Sequence, residues 1–174
     1  ILAVLAIITL IFIAGFNKMT KAKNQIENSI SALDASYIKR SDLIPNLVST
    51  VKQYMKYEES TLEKITELRT STSETNPEIE KAGNDALKSL MIQVENYPEL
   101  KANTQFTNLQ YSWNESEEQI AAGRRYVSSS ITYYNNSIST FPANIIASIT
   151  GFKEYNWQYA TKEQQKIINA DNLF

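Results

Sequence analysis

The chain has no histidine and no cysteine. Without histidine there is no Ser-His-Asp triad, no imidazole general base and no Glu-x-x-His metal pair. Without cysteine there is no thiolate nucleophile, no disulfide framework and no cysteine-rich zinc site, and no redox compartment can be read from the sequence. Glycine and proline are scarce, four of each in 174 residues. Four scattered glycines cannot build a phosphate-cradling loop. Few turn residues mean long elements, and the length fits one domain. No stretch alternates with the period of a strand, so the chain reads as all-α.

Charge is nearly balanced, with 17 basic and 19 acidic residues and a net charge of −2. The balance hides a pattern. Residues 17–56 carry seven basic and three acidic side chains, 57–120 five basic and thirteen acidic, and 121–174 five basic and three acidic. Two basic ends flank an acidic middle. Aromatic and basic residues do not interleave on one stripe, which speaks against single-stranded nucleic acid. Nothing points to a cofactor or a small-molecule substrate.

Residues 1–16 are apolar apart from Thr9, and Ile1, Leu5, Ile8, Phe12 and Phe16 mark successive turns without a single charge. Sixteen helical residues span about 24 Å, somewhat less than a hydrocarbon core of about 30 Å. The chain opens on Ile1 rather than Met, so further apolar residues are expected upstream. A soluble helix would show a polar face, and this one shows none. The segment is expected to be a single-pass anchor in the lipid bilayer. Lys18, Lys21 and Lys23 follow before the first acid at Glu27, which places the rest on the cytoplasmic side by the positive-inside tendency.

Beyond the anchor the apolar residues recur at steps of three and four, the spacing of a seam between packed helices. One seam runs through Ile26, Ile30, Leu33, Tyr37, Arg40, Ile44, Leu47, Val51, Tyr54, Glu58, Leu62, Ile65 and Arg69. It keeps its phase across Pro45, which favours a kinked helix over a new one capped by Ser41 or Asp42. The polar run 70–77 is the clearest break. A second seam follows through Ile79, Gly83, Ala86, Leu90, Val94 and Tyr97. A third runs through Phe106, Leu109, Trp113, Ser116, Ile120, Gly123, Val127, Ile131, Tyr134, Ile138, Phe141, Ile145, Ile149 and Phe152, with Arg124 and Arg125 at its edge. It too crosses a proline, Pro142.

Two geometries fit: a bent hairpin of two very long arms, or an antiparallel up-and-down four-helix bundle. The hairpin would bring both basic regions near the bilayer, where each cation gains roughly 1 kcal/mol on an anionic leaflet. It would need neighbouring copies to bury its seams, so a homo-oligomer is expected. The domains expected are an anchor at 1–16, a helical domain at 17–152 and a polar tail at 153–174.

Four blocks carry a family resemblance: SDLIPNLVSTVKQYMKYE (41–58), ENYPELKANTQF (95–106) continued by Leu109-Gln110, EQIAAGRRYVSSSITYYN (118–135) and FPANIIASITGF (141–152). In order and behind an amino-terminal anchor, they resemble the LemA family of bacterial membrane-anchored helical proteins. Tyr57 stands where members often carry histidine, and Gly123 where alanine is common. The resemblance implies one amino-terminal membrane segment, an antiparallel up-and-down helical bundle and a place in the bacterial cytoplasmic membrane. It implies no mechanism.

Glu58, Glu59, Glu63 and Glu67 lie on adjacent turns. A carboxylate pair can act as acid and base, but a helical di-metal site ordinarily adds histidines that this chain lacks. A solvated acidic face is the plainer reading, and a face that docks a protein partner is the other. Arg40 and Glu58 on the seam either snorkel outward or form buried ion pairs that fix helix register. Ile145, Ile146, Ile149 and Phe152, with Trp157 beyond them, make either core or an interfacial helix dipping back to the bilayer. The function expected is a non-enzymatic, self-associating scaffold or interaction module, with a membrane-anchored sensor or regulatory adaptor as the alternative.

Overall fold

The computed structural model describes residues 1–55, 59–72 and 77–157, and every regular element among them is helical. The order is α1 (Leu2–Ser41), α2 (Ile44–Tyr54), α3 (Glu59–Glu67) with a 3-10 turn at Leu68–Thr70, α4 (Pro77–Val94), α5 (Pro98–Lys101), α6 (Thr104–Ser139) and α7 (Ala143–Thr150). Glu58 and Tyr57 lie outside the described residues.

All four prolines stand at helix starts: Pro45 in the first turn of α2, Pro77 and Pro98 opening α4 and α5, and Pro142 at the N-cap of α7. A proline lacks the N–H that a first turn leaves unpaired, so it fits there without loss. The kink expected at Pro45 is therefore corrected. α1 ends at Ser41, a two-residue turn follows, and Leu43, not Ser41 or Asp42, takes the N-cap without a side-chain bond. The Leu43 N–H turns back to the Arg40 carbonyl at 3.1 Å, and Leu47 restarts the helical pattern by bonding Leu43 at 3.0 Å.

Residue contacts divide the chain into two compact units, one formed by 1–33 and 121–157, the other by 34–120. In the first, Met19, Ala22, Ile26, Ser29 and Leu33 of α1 are buried, as are Val127, Ser130, Ile131, Tyr134, Ser137 and Ile138 of α6. Ile30 is half-buried and Arg124 borders the seam. Small residues let the backbones approach. A Cβ on Gly123 would lie 3.0 Å from Leu33 Cδ1 and 3.5 Å from its Cα. The buried Ser29 and Ser137 hydroxyls donate to the Ile26 and Tyr134 carbonyls, so their polarity is absorbed within their own helices.

Residues 2–13 of the same unit carry large apolar side chains in the open, from Leu2 and Leu5 through Ile8 to Phe12, and Phe16 is exposed too. Among the described residues the helix that begins at Leu2 is the one long and apolar enough to cross a membrane.

In the second unit, one apolar cluster joins Ile44, Leu47 and Val51 of α2, Leu62 and Ile65 of α3, Leu87, Leu90 and Val94 of α4, Leu100 of α5, and Phe106 and Trp113 of α6. Each fully buried side chain of this kind contributes about 1.5–3 kcal/mol. Gly83 of α4 presses on Leu68: a Cβ there would lie 2.5 Å from Leu68 Cγ. Ile120 is buried at the end of the unit. Pro45 and Arg69, two seam positions, are exposed.

Two stretches depart from the expected seams. At the start of α4, Ile79 points outward and Glu80 inward. At the third seam the phase is lost after Ile138, because the helix stops at Ser139 and restarts at Ala143. Phe141, Ile145 and Ile149 are then exposed at 80%, 53% and 71%, and Ile146 and Ala147 are buried instead.

Candidate functional site

Arg40 occupies the last turn of α1 and is fully buried. Its Nη2 donates to Glu80 Oε1 at 2.5 Å and its Nη1 to Glu117 Oε1 at 2.9 Å. Glu80 is itself buried, and Glu117 is about one-third exposed. The Tyr37 hydroxyl donates to the other Glu80 oxygen at 3.4 Å. The guanidinium carbon lies 5.0 Å from the centre of the Tyr37 ring and 5.8 Å from that of Trp113. Local electrostatics favour the arrangement, since a helix C-terminus attracts a cation and a helix N-terminus, here the first turn of α4, attracts a carboxylate. A guanidinium carries five fixed donors, and neighbouring aromatic rings suit its weak hydration. The Arg40 Nε–H has no acceptor among the described residues. Beside the cluster, Lys39 reaches from α1 to Glu115 at 2.9 Å and to Gln119 at 3.4 Å.

Chemically this is a lock on three helices. Among the described residues, no group of three acidic side chains could hold a metal ion. The partners Glu80 and Glu117 were not singled out from the sequence. Arg40 carried the signal, as a cation on an apolar seam, but its partners sit far along the chain.

Next to the lock, α4 and α6 enclose a groove of about 630 Å³. Leu87, Met91 and Trp113 contribute apolar surface, and Asn84, Gln110 and Asn114 contribute amides. Gln110 donates to the Met91 sulfur at 3.2 Å, while Lys88 and Glu117 add one charge of each sign. Glu59, Glu63 and Glu67 of α3 are exposed to solvent.

In the first unit, Lys18, Lys21 and Lys23 are exposed. Lys18 and Lys21 border a cleft of about 490 Å³ with Asn17, Gln25 and Tyr133. The Gln25 side chain donates to the Tyr126 hydroxyl. Residues 152–157 fold back along α6: the Tyr134 hydroxyl donates to the Lys153 carbonyl at 2.8 Å. Burial raises the pKa of that hydroxyl above its ordinary value of 10.0. Trp157 is half-buried on this segment.

The LemA family model matches residues 29–171. This chain belongs to the LemA family. The Metamycoplasma hominis protein named LemA is 28% identical over 79% of this LemA-family chain and 65% of its own length. The magnetosome protein MamQ 2 of Paramagnetospirillum magneticum is 36% identical over 40% of the chain and 25% of its own length. The magnetosome protein MamQ of Magnetospirillum gryphiswaldense is 29% identical over 52% of the chain and 33% of its own length. The chain thus spans less than two-thirds of the curated relatives it matches.

Proposed function

We propose that this LemA-family chain is a membrane-anchored, non-enzymatic helical module that associates with copies of itself at the cytoplasmic face of the bacterial membrane. In this reading residues 1–16 anchor, 17–152 form an antiparallel up-and-down bundle, and 153–174 form a polar tail. The observation that carries it is α1. One uninterrupted helix begins with exposed apolar side chains suited to lipid and ends in a buried charge lock. Lysines 18, 21 and 23 between the two suit an anionic cytoplasmic leaflet. The apolar cluster shared by α2, α3 and α4 supports the bundle over the bent hairpin. The ion pairs and packed helices of the described residues support a role in holding and recognising.

Light scattering of the purified chain in mild detergent tests self-association. A mass of two or more copies supports it, and a monomer at every concentration removes it.

Three exposed carboxylates on the nine-residue α3 favour a second reading, an adaptor or sensor whose acidic face docks a basic protein partner. Reversing Glu59, Glu63 and Glu67, together with Glu58, separates the two. Loss of a captured partner with self-association intact selects the adaptor.

A further inference from the structure

We propose that α7 is a second membrane contact, a short helix seated in the lipid interface beside the base of the spanning helix, with Phe141, Ile145 and Ile149 directed into lipid. The proposal rests on the anchoring of residues 1–16.

The position of α7 is set by two contacts with α1. Ile146 Cδ1 lies 2.7 Å from where a Cβ on Gly15 would stand, so an alanine there would push the tip of Ile146 aside. The Phe152 ring meets Phe16 edge-on, with centroids 5.7 Å apart. Gly15 and Phe16 are the last residues of the apolar run, and Lys18 follows one turn later. Anything packed at Gly15 therefore sits where acyl chains give way to headgroups. The cleft bordered by Lys18 and Lys21 lies at that same level and suits lipid phosphate.

With Ile146 turned onto α1 and Ala147 buried, Ile145 and Ile149 of α7 and Phe141 just before it stay open, beside the exposed Asn144 and Ser148. At this level its natural solvent is lipid rather than water.

Several polar groups of α7 are satisfied within the chain. Ser148 donates to the Asn144 carbonyl at 2.9 Å and Thr150 to Ile146 at 2.7 Å. At the start, the Asn144 and Ile145 N–H groups reach the Thr140 and Pro142 carbonyls at 3.0 and 3.2 Å. At the end, Gly151, left-handed at φ 77°, lets its own N–H and that of Phe152 close on Ala147 at 2.9 and 3.1 Å. A helix capped in this way enters an apolar medium with little to desolvate. Charge is missing too: from Tyr126 to Phe152 there is no Asp, Glu, Lys or Arg.

The cysteine-free chain makes the test direct. Single variants Ile145→Cys and Ile149→Cys carry a fluorophore in full-length protein. The protein is reconstituted in vesicles of phosphatidylethanolamine and phosphatidylglycerol, with quenchers placed either on the acyl chains or in water. Ile8→Cys reports the spanning helix. Ser31→Cys, exposed and about 35 Å beyond Ile8 along α1, reports water. The expected result is loss of emission at 145 and 149 to the lipid quencher, as at 8, and to the aqueous quencher only at 31. Aqueous quenching at 145 and 149 overturns the proposal. Protection from both quenchers there also overturns it and assigns the face to a second copy. If the label at Ile8 escapes the lipid quencher, the anchoring itself fails. If Ile8 is quenched and 145 and 149 are not, only the seating of α7 fails.

Discussion

Asn135 and Tyr155 exchange two hydrogen bonds. The Asn135 amide donates to the Tyr155 carbonyl at 3.0 Å, and the Tyr155 N–H donates to the Asn135 carbonyl oxygen at 2.9 Å. One side chain thereby does for an extended segment what a neighbouring strand would do. Asn135→Ala should release residues 153–157, at about 0.5–1.5 kcal/mol per bond lost. Faster amide exchange at Tyr155, with α6 protection unchanged, is the expected reading.

Arg40 and Glu80 form the most demanding pair in the molecule. Arg40→Met leaves Glu80 buried without its cation, which should cost about 3–5 kcal/mol. The double variant Arg40→Met with Glu80→Leu should regain much of that loss, because both charges leave together. Denaturant unfolding of the two proteins side by side is the check. Equal destabilisation by the single and double variants would argue against the ion pair as the source.

Gly83 and Gly123 should respond differently to alanine. At Gly83 the added methyl meets the branch point of Leu68, and Gly83→Ala should cost about 1–3 kcal/mol. At Gly123 the nearest atom is the tip of the Leu33 side chain, which can rotate away. The alanine also recovers helix propensity of about 1 kcal/mol, so Gly123→Ala should be neutral or mildly stabilising. Thermal melts of both variants decide.

Tyr134 gives a pH dependence with a definite sign. Its raised pKa means that the folded chain keeps a proton the unfolded chain releases near pH 10. Its contribution is complete below that pH and is lost as pH rises through the folded value. Stability should fall in that alkaline range, and Tyr134→Phe should flatten the fall. Unfolding midpoints measured from neutral to alkaline pH would show it.

Much of this architecture is legible in the residues. The seams through Leu33, Leu47, Val51, Trp113 and Val127 are periodic because one face of each helix is buried, and burial writes itself into spacing. Arg40 is conspicuous for the same reason, as a cation on an apolar face. Glu80 is not, because its neighbour Ile79 continues the seam by spacing, and only the meeting with Arg40 turns the carboxylate inward. Phe141, Ile145 and Ile149 misled by periodicity: the restart at Ala143 rotates the face, and spacing carries no record of a reset between two helices. Residues 153–157 have no periodicity at all. Their position is decided by the Asn135 amide and the Tyr134 hydroxyl, partners that no local pattern announces.

The contact of Phe16 with Phe152 sets an order on synthesis. The anchor emerges early, yet the surface that covers Gly15 and Phe16 belongs to the end of the described chain. Until α7 has been made, those residues face whatever surrounds the nascent protein. The base of the anchor thus acquires its final surface only once the chain has been translated through Phe152.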